Sequence, residues 1–297
     1  MKLLAPKYYK NFKCIADKCS HSCCIGWEID IDHYTLEKYN LLDGKYSAEI
    51  RDSIEYKDVP HFRLCGDERC PHLDENGLCR IISSLGEGYL CDICKEHPRF
   101  YNDTLFGKEV GLGMACEEAC RIILNSNDYD CLVEIEDLDI DTEEIYYNPI
   151  FTRNYIFSIL KNPYLSYKEK LNRIYDEFAV SPACLDDSRW HEIISNLEYL
   201  AEDHKELFLS YSSSTDTDYR LEVYFERALA YFIYRHCTQA YDDEDFRAML
   251  GFCLFCERLL SSCARDGADI YLCARIISEE LEYSTDNTEE IKSQFYC

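Results

Sequence analysis

A chain of 297 residues with 57 acidic and 31 basic side chains carries a net charge of −26, which argues against nucleic acid as a partner because phosphate binding runs on Lys and Arg. Hydrophobic residues at 47% and aromatics at 14% exclude a disordered polymer and suffice for one large or two modest domains. The acidic surface either attracts a basic partner such as lysine side chains or serves solubility alone.

The opening MKLLAPKYYKNFKC breaks its apolar run at Pro6 and Lys7, too short for the roughly 7–15 apolar residues of a signal-peptide core. No stretch reaches the ~18 uninterrupted apolar residues of a membrane span. A cytoplasmic protein with no membrane span is expected. In DIDHYTLEKYNLLDG (30–44) a short helix starts at an Asp32 cap and closes at Gly44, and RIISSLGEGYL (80–90) suits another. FYNDTLFGKEVGLG (100–113) reads as a hairpin turning at Asn102-Asp103 or at Gly107. EEACRIIL (117–124) begins a helix with acidic residues where the dipole favours them. The acidic run EIEDLDIDTEE (134–144) reads as a solvated connector. Beyond it, 149–161, 166–179 and 188–210 read as helical, and Leu221, Phe225, Ala228, Phe232 and Ile233 recur at helical spacing after a possible Asp218 cap. FRAMLGFCLFCERLLSSC and DIYLCARIISEELEY repeat that period, with Asp266-Gly267 breaking the chain between them. The expectation is a mainly α protein: an irregular cysteine-rich metal-binding domain with short strands over 1–130, an acidic connector over 131–148, and a helical bundle over 149–297. Net charge divides as −7 over residues 1–130 and −19 over the rest.

Cysteine is the most informative residue type. Of 19, twelve fall between Cys14 and Cys131. An odd number in a chain of this length and expected compartment shifts the reading from disulfides toward metal or catalysis. The stretch CIADKCSHSCC (14–24) supplies Cys14, Cys19, Cys23 and Cys24; CPHLDENGLC (70–79) supplies Cys70 and Cys79; Cys94 and Cys116 follow. Thiolates suit zinc or an iron–sulfur cluster, each needing about four converging sulfurs. Asn76-Gly77 provides a tight turn that returns Cys79 toward Cys70. Adjacent Cys23 and Cys24 point to opposite faces of an extended strand, so either the chain bends there or only one of them is a ligand. Cys253 and Cys256 fall among Leu250, Leu254 and Leu259 on a helix, where cysteine acts as a small apolar residue.

YYKNFKCIADKCSHSCCIGWEIDID, CPHLDENGLCRIISSLGEGYL, CKEHPRF and CEEACRIIL together resemble the flagellin lysine-N-methylase family, and RLEVYFERALAYFIYRH extends the resemblance more weakly. The N-terminal half also looks like the broader class of cysteine-cluster proteins that chelate zinc or iron. The resemblance implies methyl transfer from S-adenosylmethionine to lysine ε-amino groups of flagellin, using an iron–sulfur cluster. It implies Cys14, Cys19, Cys23, Cys24, Cys70, Cys79, Cys94 and Cys116 as the metal-site positions and leaves Cys65, Cys91 and Cys120 as extras. Arg99 of the family-like HPRF is either a partner for a cofactor carboxylate or part of a structural salt bridge. His21 is a ligand or a loop residue, and Trp27 is expected to pack over the cluster.

The glycine fingerprint of a nucleotide-binding fold is missing; VGLG (110–113) lacks the third glycine. Cofactor binding is therefore expected at a 4Fe–4S cluster on three cysteines, although the radical-enzyme spacing of three residues then two is absent. The competing readings are a non-catalytic zinc- or iron-chelating binding protein and an electron carrier.

Overall fold

The computed structural model describes residues 2–137, 147–214 and 217–296. The chain opens with β1 (Lys2–Pro6). Residues 13–98 then form a compact unit of short elements: α1 (His33–Leu41), α2 (Lys45–Asp52), β2 (Ile54–Tyr56), β3 (Pro60–Phe62), α3 (Arg80–Leu85) and α4 (Asp92–Glu96). The second unit takes residues 1–12 together with 99–297. Its elements are β4 (Arg99–Thr104), β5 (Gly107–Leu112), α5 (Glu117–Asn125), β6 (Leu132–Asp137), α6 (Ile150–Leu160), α7 (Tyr167–Phe178), α8 (Asp187–Asn196), α9 (Glu202–Phe208), α10 (Glu222–His236), α11 (Asp243–Cys263), α12 (Ile270–Ile277) and α13 (Thr285–Ser293).

Mainly α architecture is thus what the chain adopts, but its compact units divide at 12/13 and 98/99 rather than across 131–148. The cause is strand pairing. β1 lies parallel to β5 and antiparallel to β6 in a sheet of order β4-β5-β1-β6, so the first residues and 99–137 belong with the helical part. Strand pairs this remote in sequence leave little trace in local composition. Of the acidic run, 134–137 is the end of β6, and 138–146 of the expected connector lies outside the described residues.

Local signals held where a cap or turn carries them. Asp32 caps α1 by accepting from the Thr35 amide at 2.8 Å, while Gly44, three residues past that helix, starts α2 with φ of 111°. The hairpin turns before Gly107, and Asn102-Asp103 lies inside β4. Ser166 and Glu169 form a reciprocal capping box on α7. The 188–210 segment divides into α8 and α9, and Asp218 lies four residues before α10, its side chain turned onto Arg220. In the second unit the core gathers around α10 and α11, where Phe232, Leu250, Cys253, Leu254, Cys256 and Leu259 are fully buried. Cys253 and Cys256 are therefore core residues.

Candidate metal centre

The unit of residues 13–98 buries a small apolar core of Ile29, Ile31, Tyr39, Ile50, Ile54, Phe62 and Ile81, with Cys70 and Cys91 among them and Cys24, Cys79 and Cys94 packed against it. Each thiol arrives by a local device. In CPHLDENGLC the Asp74 carboxylate accepts from the amides of Asn76 and Leu78, both at 2.8 Å, and Gly77 takes a φ of 76°. The returning strand pairs Leu73 with Cys79, and the Arg80 amide reaches the His72 carbonyl at 2.8 Å. Cys79 thus comes back beside Cys70. Cys24 is delivered by a short ladder in which the Cys70 amide donates to the Cys24 carbonyl at 2.8 Å and Gly26, at φ 78°, donates to the Glu68 carbonyl. Cys91 immediately precedes α4 and Cys94 lies in its first turn.

Electrostatics place these sulfurs in one group. Burial pushes the Cys70 thiol up to about 12, with the charges of Cys24, Cys79 and Cys91 adding to the rise. Burial likewise raises Cys79, and Cys24 and Cys91 add to it. Cys91 and Cys94 share a hydrogen bond that lowers Cys91 and raises Cys94, so the pair holds one thiolate readily and resists a second. Cys24 falls to about 7, chiefly through a hydrogen bond from Cys23 and, in smaller part, through Arg69. Amides of His72 and of Ile81 and Ile82 point at the sulfurs of Cys70 and Cys79, the donors that metal-bound thiolates use. Five sulfurs with one nearby guanidinium form a cation-seeking set, because buried thiolates that repel one another need positive charge between them.

Glu28, Asp30 and His61 bring donor atoms within 4.8 Å of one another, but among the described residues no three of the five sulfurs come that close. The acid–histidine trio has its own internal order. His61 Nδ1 meets the Val59 carbonyl at 2.9 Å and Nε2 faces Glu55 at 3.7 Å.

Four of the eight expected positions, Cys24, Cys70, Cys79 and Cys94, are therefore brought together. Cys91, left as an extra by the family resemblance, joins them. The available signal was the Cys91-x2-Cys94 pair itself, whose meaning depends on where α4 lies. Cys65, another extra, is exposed. Cys14 and Cys23 are exposed on the irregular opening of the unit, and the half-buried Cys19 donates to the His21 carbonyl at 2.7 Å. Trp27 is half-buried. Cys116 belongs to the other unit, at the N-cap of α5. Arg99 also lies there, at the start of β4. Its Nε donates to the Tyr9 hydroxyl at 2.8 Å, and its guanidinium lies over the Tyr9 and Phe12 rings.

Tyr39 is the neighbour that residue patterns do not disclose. It is fully buried on α1, with its hydroxyl 2.6 Å from the Tyr89 carbonyl and 3.7 Å from Cys91 Sγ. Burial, then the charge of Cys91, raises its phenol far above the ordinary value. Behind Cys70, His72 is held between the Tyr46 hydroxyl at 2.7 Å and Ser53 Oγ at 3.0 Å, and burial lowers it to about 4. His72 is thus a neutral strut. Among the described residues no helix is long and apolar enough to cross a membrane.

The chain is similar to the flagellar biosynthetic protein FliU of Salmonella muenchen, at 30% identity over 138 residues that cover 43% of this chain and 80% of that protein. It is similar to the lysine-N-methylases of Salmonella choleraesuis and Salmonella typhimurium, at 28% identity over 138 residues. Those alignments span 34% of each lysine-N-methylase. No protein-family model and no solved structure matches the chain.

Proposed function

Because this chain belongs to the flagellin lysine-N-methylase family, we propose that it transfers a methyl group from S-adenosylmethionine to lysine ε-amino groups of flagellin, with an iron–sulfur cluster on the thiolates of residues 13–98. The convergence of Cys24, Cys70, Cys79, Cys91 and Cys94 in one compact unit carries this reading. The donor set fits: soft sulfur ligands, with amides aimed at two of them. When bound, a 4Fe–4S cluster with one open iron supplies a place for the amino and carboxylate groups of the cofactor. Around it, the residues of this chain do ordinary work. Three of the five thiolates would hold such a cluster, from among Cys70 and Cys79 on the returning loop, Cys94 in α4, Cys91 just before it, and Cys24. Cys24, on its short ladder, is lowered to about 7, first of all by its hydrogen bond with Cys23. The net charge of −26 favours encounter with a lysine-bearing protein and gives a rate that falls as salt rises. A reducing, cytoplasmic setting suits a group of unpaired thiols.

The test is incubation of anaerobically reconstituted protein with flagellin and methyl-labelled S-adenosylmethionine. Label on lysine is the expected result. No label, with iron and labile sulfide verified at cluster stoichiometry, overturns the catalytic reading. Stoichiometric zinc without labile sulfide overturns the cluster and favours a chelating protein that binds a partner.

A further inference from the structure

One face of α1 grips the segment that carries Cys91. Asp32, Thr35 and Tyr39 are spaced by three and four residues and share that face, with Lys38 beside it. Asp32 Oδ2 accepts from the Asp92 amide at 3.0 Å, Thr35 Oγ1 donates to the Leu90 carbonyl at 3.5 Å, Lys38 Nζ to the Gly88 carbonyl at 2.9 Å, and the Tyr39 hydroxyl to the Tyr89 carbonyl at 2.6 Å. Four consecutive contacts thus hold residues 88–92 from one helix. Only Tyr39 also reaches the sulfur.

We propose that the Tyr39 hydroxyl is a hydrogen-bond donor to the metal-bound Cys91 thiolate and sets the electronic character of the cluster from that side. The inference rests on the cluster reading above. The hydroxyl has one proton and two neighbours, the Tyr89 carbonyl and Cys91 Sγ at 3.7 Å, and either oxygen or sulfur can donate across the second contact while Cys91 is a thiol. Once Cys91 has lost its proton to become a ligand, sulfur is acceptor only. The proton, held on the Tyr89 carbonyl at 2.6 Å, is then shared with the charged sulfur at 3.7 Å, a stronger attractor than a neutral thiol. Ring packing against Phe62, at 6.0 Å between centroids, and complete burial keep the phenol in place without water. A donor on a ligating sulfur stabilises the more negative, reduced state and so raises the reduction potential.

Tyr39→Phe keeps the ring and removes only the hydroxyl. Thr35→Val loosens the same helix-to-segment grip without touching sulfur. Both are reconstituted anaerobically beside the wild type, with iron and labile sulfide measured first and redox titrations followed by EPR second. The expected result is unchanged iron and sulfide in all three, a midpoint potential shifted negative in Tyr39→Phe alone, and loss in that variant of one exchangeable deuteron coupled to the reduced cluster in D2O. An unshifted potential in Tyr39→Phe, or an equal shift in Thr35→Val, overturns the inference and leaves the cluster reading standing. Wild-type protein without iron and sulfide overturns both.

Discussion

Cys91 and Cys65 have the same chemistry and opposite surroundings. Cys91 is buried against Tyr39 and hydrogen-bonded to Cys94, whereas Cys65 is exposed. Cys91→Ser and Cys94→Ser are expected to lose most of the bound metal, and Cys65→Ser to retain it, as read by iron, zinc and sulfide content of the purified proteins. Loss in Cys65→Ser with retention in Cys91→Ser would falsify the ligand group drawn here. A second residue-scale expectation concerns pH. His204 shares a hydrogen bond with Glu280, which raises the imidazole above its ordinary 6.5 against the opposing effect of burial. A raised cationic group stabilises the fold fully below the unfolded value and loses that contribution as pH rises through the folded value. His204→Gln is therefore expected to lower the melting temperature more at pH 6 than at pH 9. An equal drop at both would remove the ionic part of the pair.

Among the elements, α11 shows how close packing overrides helix preference. It is buried throughout its last four turns, the Glu257–Arg258 ion pair included, and Gly251 sits in its interior. A Cβ there would lie 2.2 Å from the Phe295 ring, itself buried. Alanine gains about 1 kcal/mol of helix propensity over glycine, but overpacking a filled core costs about 1–3 kcal/mol. Gly251→Ala is expected to destabilise by about 1 kcal/mol or more in chemical denaturation; a more stable variant would show that the ring yields. The hairpin of β4 and β5 makes the same demand, since a Cβ on Gly111 would meet the Phe100 ring opposite it. Glycine in these elements is read from its neighbours, and no local pattern announces it.

At the scale of the molecule, two units of unequal kind share one chain. The larger has long helices around a continuous core, while residues 13–98 rely on short helices, two three-residue strands and a handful of buried side chains. On the proposed reading such a unit would lean on a bound metal, because ligation ties segments that apolar burial alone holds weakly. Anaerobic chelation of the holoprotein is expected to raise amide hydrogen exchange across 13–98 while α10 and α11 keep their protection; a uniform rise would mean that the two units open together. What the sequence by itself determined about this protein is substantial: a mainly α chain, a turn at Asn76-Gly77 that returns Cys79 to Cys70, the Asp32 cap, core cysteines at 253 and 256, and, through its cysteine-bearing motifs, the family. Those features are written in composition, helical period and contiguous spacing. Tertiary structure alone decided that β1 belongs with β5 and β6, that Cys91 stands with Cys24, Cys70, Cys79 and Cys94, and that Tyr39 faces its sulfur. Each of these is a pairing between residues tens of positions apart, and such pairings are set by packing in space, which spacing along the chain does not encode.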